Sequence, residues 1–177
     1  MRLFFALWPD ATTRNALAAT ARQFKQACGG RTPPADNLHL TLAFLGNVPA
    51  NRLPELRVVA DAVMAEPFEL DLTRAGFWRA QGLAWVAPLD SPPELTTMHE
   101  QLTDVLRQHG FHTERRAFKP HVTLLRDVVT PPPRSTPDGM MRMHWPVRNF
   151  VLACSEPAPR GVRYRLIGTW PLNAARL

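Results

Sequence analysis

Apolar and polar residues alternate along the chain with two different periods, and the changes of period mark its elements. An apolar run from Leu3 to Trp8 stops at Pro9-Asp10 and predicts a first strand. Asp10 to Thr13 then supply capping side chains for a helix reaching about Cys28, with Leu17, Ala21 and Phe24 near helical spacing. Gly29-Gly30 ends that helix, and Pro33-Pro34 keeps the next loop extended. A strand is expected over Leu38 to Leu45, closed by Gly46-Asn47, followed by a helix over Leu53 to Met64. Phe68 to Trp78 and Leu83 to Ala87 read as strands joined through Gln81-Gly82. Ser91 is the expected cap of a third helix, with Pro92 and Pro93 in its first turn and Leu95, Met98, Leu102, Val105 and Leu106 on its apolar face. A strand from Phe118 to about Val128 comes next, then a proline-rich loop over residues 131–139. Strands over Val147 to Ser155 and Arg163 to Trp170 close the chain.

Helices mixed with hairpins in this order predict an α+β fold, not a doubly wound parallel sheet. The 177 residues suffice for one core, or for two small lobes sharing one. No break in composition marks a linker, so residues 1–177 are expected to form one domain. No apolar run approaches a membrane span, and the apolar opening lacks a small-residue cleavage pattern. The cytoplasm is the expected compartment. Cys28 and Cys154 fit no metal or redox spacing, and two reduced, packed thiols are expected.

The net charge of +6 favours an anionic partner such as nucleic acid. That signal is weak alone, because only Lys25 and Lys119 are lysines and an arginine-rich coding bias gives the same charge.

The chemistry is carried by a pattern that occurs twice. His39-Leu40-Thr41-Leu42 recurs as His121-Val122-Thr123-Leu124, about 80 residues later, longer than a solenoid repeat. In a strand alternate side chains share a face, so each copy presents an imidazole and a hydroxyl together, roughly 6.5 Å apart along the backbone. The intervening Leu40, Leu42, Val122 and Leu124 turn into a core. Side by side about a pseudo-two-fold axis, the two strands would set two imidazoles and two hydroxyls around one cleft. That set suits a phosphodiester: hydroxyls for the non-bridging oxygens, one neutral histidine to take a proton and one protonated histidine to give one. A single His-x-Thr in a strand is most often packing. Two copies in the same context shift the balance toward a site.

On these motifs the sequence resembles the RNA 2',3'-cyclic phosphodiesterases, also called 2'-5' RNA ligases, of the two-histidine (2H) phosphoesterase superfamily. The resemblance runs nearly end to end: residues 2–7, 36–46 and 118–126, with Ser155, Gly161 and Tyr164 at the spacing of the family's last hairpin. Pro157 stands where the family has a leucine. The resemblance implies a bilobal fold, two pseudo-two-fold-related lobes of antiparallel sheet with helices outside and a central cleft. It implies hydrolysis of RNA 2',3'-cyclic phosphate ends to 2'-phosphomonoesters, without metal or other cofactor, and the reverse 2'-5' joining. His39 would be the proton donor and His121 the proton acceptor, with Thr41 and Thr123 on the phosphate; the symmetry of the motifs leaves donor and acceptor open on sequence alone. The family also places Arg126 at the phosphate, although in a regular strand that position faces away from His121.

Phe5 and Trp78 are candidate base-stacking side chains, with core packing the alternative for each; Tyr164 stands between the two roles. Arg31, Arg115, Arg116 and Lys119 lie where an RNA backbone would pass. His109 and His112 sit at a helix end with no partner ligand at metal-site spacing, so no metal site is expected. The expected partner is RNA or a small nucleotide with a cyclic phosphate, no membrane, and a monomeric protein. Two other readings stay open: a non-catalytic RNA-binding module, and a 2H esterase acting on another cyclic phosphate or a 2'-5' oligonucleotide.

Overall fold

The structure is a computed structural model, and it describes residues 1–114, 116–130, 143–159 and 161–173. The proline-rich loop expected over residues 131–139 and the candidate Arg115 lie outside the described residues.

Strand β1 (Arg2–Leu7) leads into α1 (Ala11–Cys28), β2 (Leu40–Asn47), α2 (Leu53–Asp61), β3 (Phe68–Trp78), β4 (Leu83–Pro88), α3 (Pro93–Gln108), β5 (Val122–Leu125), β6 (Met143–Val147), β7 (Asn149–Ala158) and β8 (Gly161–Pro171). The Asp10 carboxylate accepts from the Thr13 amide at 2.7 Å, the expected cap of α1. The third helix begins differently. Pro92, not Ser91, occupies its cap, and no side chain bonds the free amides there. Its Pro93 has no N–H to leave unsatisfied at that first position.

The strands form one curled antiparallel sheet in the order β6-β3-β4-β5-β2-β1-β7-β8. This mixed α+β architecture is the expected class, and the two halves meet at the seam between β2 and β5. On one side β1-α1-β2 supplies the central strands; on the other β4-α3-β5 does the same in the same order. The helices reach across the seam, α1 packing against β5 and α3 against β2. Leu17 and Ala21 of α1, Leu95, Met98 and Leu102 of α3, and Leu56 of α2 bury against Leu40, Leu42, Val122 and Leu124 on one face of the sheet. Both cysteines are free and buried. A smaller cluster of Phe4, Ala6, Val151 and Ala153 occupies the other face.

Two elements depart from the periodicity. The strand expected over 118–128 shrinks to β5, because Pro120 offers no donor before it and Asp127 adopts a left-handed φ of 55° after it. The edge strand β6, which contains Pro146, carries no strand signal in the sequence; an edge is where a strand tolerates proline.

Candidate functional site

The seam between β2 and β5 is closed by a single residue pair, Leu40 with Val122. In that antiparallel register His39 stands opposite Thr123 and Thr41 opposite His121, all four on the face away from the helices. Each histidine immediately precedes the first residue of its strand. Each is held in the same way: Nδ1 of His39 lies 2.7 Å from the Asn37 carbonyl, and Nδ1 of His121 lies 2.7 Å from the Lys119 carbonyl. A carbonyl oxygen can only accept, so both rings carry their neutral-state proton on Nδ1 and leave Nε2 as a bare acceptor. Nε2 of His39 is 3.1 Å from Oγ1 of Thr41, which donates to it.

The equivalence extends into the strands. Between Phe5/Ala6 and Ala43/Thr41 the β1–β2 ladder slips by one residue, and between Ala84/Trp85 and Leu125/Thr123 the β4–β5 ladder does the same. These bulges fall at Leu42 and Leu124. Beyond them two consecutive residues, Leu42-Ala43 and Leu124-Leu125, are buried together, and the next side chain is returned to the cleft face. That side chain is Phe44 on one strand and Arg126 on the other; both line the cleft. Strand alternation alone would turn Arg126 away, and the bulge turns it back. A pair of hydrogen bonds between the backbones of Arg31 and Arg126 holds it there, and the Arg31 guanidinium pairs with Asp127 at 2.7 Å.

The result is a cleft of about 500 Å³ that contains His39, Thr41, His121, Thr123, Arg126 and Tyr164. The candidates of the two motifs are thus brought together. Tyr164 lies edge-on to His39 with ring centroids 5.1 Å apart. Trp78 is edge-on to His121 at 4.4 Å. Phe5 is not in the site. Its side chain is fully buried on the helix-covered face against Phe150, at 6.1 Å, and cannot meet a base. In a strand that is apolar throughout, nothing distinguishes its two faces, and the neighbouring Phe4 is the one that turns to the cleft, 4.9 Å from the His39 ring. Arg116 is exposed and paired with Glu114, at the rim with Lys119.

Two residues beside His39 were not singled out from the motifs, although Asn37 lies within the matched segment 36–46. Trp8 stacks parallel to His39 at 5.3 Å. Asn37 is buried; its side chain donates to the Val162 carbonyl at 2.6 Å and accepts from the Tyr164 amide at 3.3 Å, tying the histidine's tether to β8. Only the proximity of Trp8 and Asn37 to recognised elements pointed to them.

The family model described as LigT like Phosphoesterase matches residues 7–85. Among curated proteins, the chain is 33% identical to the RNA 2',3'-cyclic phosphodiesterase of Escherichia coli (strain K12), covering 97% of each chain. It is 30% identical to the RNA 2',3'-cyclic phosphodiesterase of Thermus thermophilus, over 98% of this chain and 91% of that one. The crystal structure of E. coli LigT complexed with 3'-AMP superposes with a TM-score of 0.83 at 34% identity, again over 97% of each chain.

Both imidazoles are held neutral. Burial pushes the His39 pKa down to about 4; the bond to the Asn37 carbonyl opposes this, and the charges of Arg126 and His121 add to it. His121 is lowered as well, by burial first and by Arg126, against the Lys119 carbonyl. The unfolded chain therefore binds a proton on His39 that the folded chain refuses between pH 6.5 and about 4. This contribution to stability is fully present above pH 6.5 and disappears as pH falls through about 4. In denaturant titrations across that window, His39→Gln is expected to lose stability less steeply with acid than the wild type. An unchanged acid limb would contradict the assignment.

Proposed function

The chain belongs to the LigT-like phosphoesterases, the family of the RNA 2',3'-cyclic phosphodiesterases, and from that membership we propose that it hydrolyses the 2',3'-cyclic phosphate at an RNA end to a 2'-phosphomonoester, with two histidines as acid and base and no metal. The observation that carries this reading is the pair of identically tethered imidazoles with bare Nε2 atoms in one cleft, each beside a threonine hydroxyl.

Thr41, Thr123 and Arg126 take the non-bridging oxygens of the phosphate. His121 accepts a proton from water as its oxygen forms a bond to phosphorus; the P–O3' bond breaks, and His39 delivers its proton to O3'. The 2'-phosphate and a free 3'-hydroxyl result. With its pKa lowered to about 4, His39 carries no proton on Nε2 at neutral pH, so the bound phosphate supplies the negative charge that lets that nitrogen protonate. Trp8, stacked on that ring, and the Asn37 carbonyl fix its direction. With a 5'-hydroxyl in place of water as the nucleophile, the same steps in the same direction make a 2'-5' linkage. A dication in this cleft would face the guanidinium of Arg126, and the imidazole pair completes the proton transfers without one. The described helices include none long and apolar enough to cross a membrane; the substrate reading is an RNA end met by a monomer in the cytoplasm.

His39→Ala and His121→Ala are each expected to lose about 100-fold or more in turnover of a 2',3'-cyclic-phosphate RNA. A substrate with sulfur at the 3' position separates the roles, because a thiolate leaves without a proton. His39→Ala should recover most of its loss on that substrate and His121→Ala should not; equal recovery would contradict the division of labour. Hydrolysis is also expected to persist undiminished in excess EDTA, and loss of activity restored by a divalent metal would overturn the metal-free mechanism.

A further inference from the structure

A second cavity, of about 690 Å³, opens on the other side of His121. It is related to the first by the internal symmetry of the fold. The first cleft lies beside residues 31–39, between α1 and β2, and is lined by Thr123 and Arg126 together with Thr41 and Phe44; the second lies beside residues 113–114 and 116–121, between α3 and β5, and is lined by Thr41 and Phe44 without Thr123 or Arg126. His121, Thr41 and Phe44 belong to both cavities, and His39 lines only the first.

Displacement at phosphorus sets the entering and leaving oxygens on opposite sides. Where the proton acceptor is His121 and the donor is His39, the entering oxygen comes from the side that His121 shares with the second cavity. A water molecule occupies only about 30 Å³ of liquid. The cavity is more than twenty times larger, and its walls are not those of a water channel. Half-buried Trp78 and Phe118 give it aromatic surface, the latter backed by a parallel stack with His99 at 3.8 Å. Gln81 adds a donor and acceptor for a base edge, and Arg116, paired with Glu114, and Lys119 stand at the rim where a following phosphate would pass. Aromatic surface, an amide and rim cations are the groups that hold a single-stranded nucleotide.

We propose that this second cavity binds the 5'-terminal nucleoside of an acceptor RNA, so that its 5'-hydroxyl, in place of water, attacks the cyclic phosphate. The inference rests on the cyclic phosphodiesterase reading above. In the step, the O5'–P bond forms as the O5' proton passes to His121, and the P–O3' bond breaks as O3' takes a proton from His39. The product is a 2'-5' phosphodiester with a free 3'-hydroxyl, and no energy-carrying co-reactant enters.

The test uses the full chain with a 2',3'-cyclic-phosphate oligonucleotide and two alternative acceptors, a 5'-hydroxyl dinucleotide and methanol, each titrated against hydrolysis. Stacking of one base changes binding by roughly 5-fold to 150-fold. The dinucleotide should therefore reach half-maximal transfer at a concentration at least about fivefold below that of methanol. Trp78→Ala and Gln81→Ala should each erode that preference, read as the ratio of dinucleotide to methanol transfer within one variant, which cancels any effect on His121 itself. Equal use of both acceptors by the wild type, or variants that lower both transfers alike, would overturn the proposal while hydrolysis continued. Absence of hydrolysis in the wild type would instead remove the reading beneath it.

Discussion

Two hydrogen bonds of equal length, from Nδ1 of His39 to the Asn37 carbonyl and from Nδ1 of His121 to the Lys119 carbonyl, set the chemistry of the whole cleft. Each spends the one proton of a neutral imidazole on the backbone two residues earlier and aims a lone pair at the cleft. Without them either ring is free to turn or to change tautomer, and a pair of histidines near one another would have no defined acid or base position. Burial lowers the pKa of both rings, and on the proposed mechanism the charge of the anionic phosphate restores a proton to one of them.

The rest of the fold serves to repeat that arrangement. A strand–helix–strand unit occurs on each side of the seam, and each helix packs over the other unit's central strand, so neither half can shift without the other. Matching bulges at Leu42 and Leu124 then break strand alternation at the same point in each copy. The copies differ in what the bulge delivers. Phe44 arrives on one side, under the Arg2 guanidinium at 5.1 Å, and Arg126 on the other. The two halves thus give the cleft different side chains at equivalent positions, an aromatic ring on β2 and a guanidinium just after β5.

Much of this was legible in the sequence because the motif is short, local and duplicated. Strand alternation alone predicted which way His39, Thr41, His121 and Thr123 point, and apolar spacing found the three helices. What it missed has physical causes. Arg126 depends on a slip in register between strands, and the only trace of that slip is the adjacent apolar pair Leu124-Leu125, mirrored by Leu42-Ala43. Phe4 and Phe5 exchange roles because a strand apolar on both faces has no readable phase. Asn37 and Trp8 act through contacts with β8 and with a ring 31 positions away in sequence, which no local pattern encodes. The strand β6 was hidden by its proline.

The tethers are open to direct observation by nitrogen-15 NMR of the imidazole rings in the ligand-free protein, well above the ordinary histidine pKa of about 6.5. Both His39 and His121 are predicted to show a protonated Nδ1 and an unprotonated Nε2. A proton on Nε2 of either ring, or a ring still charged at that pH, would contradict the account.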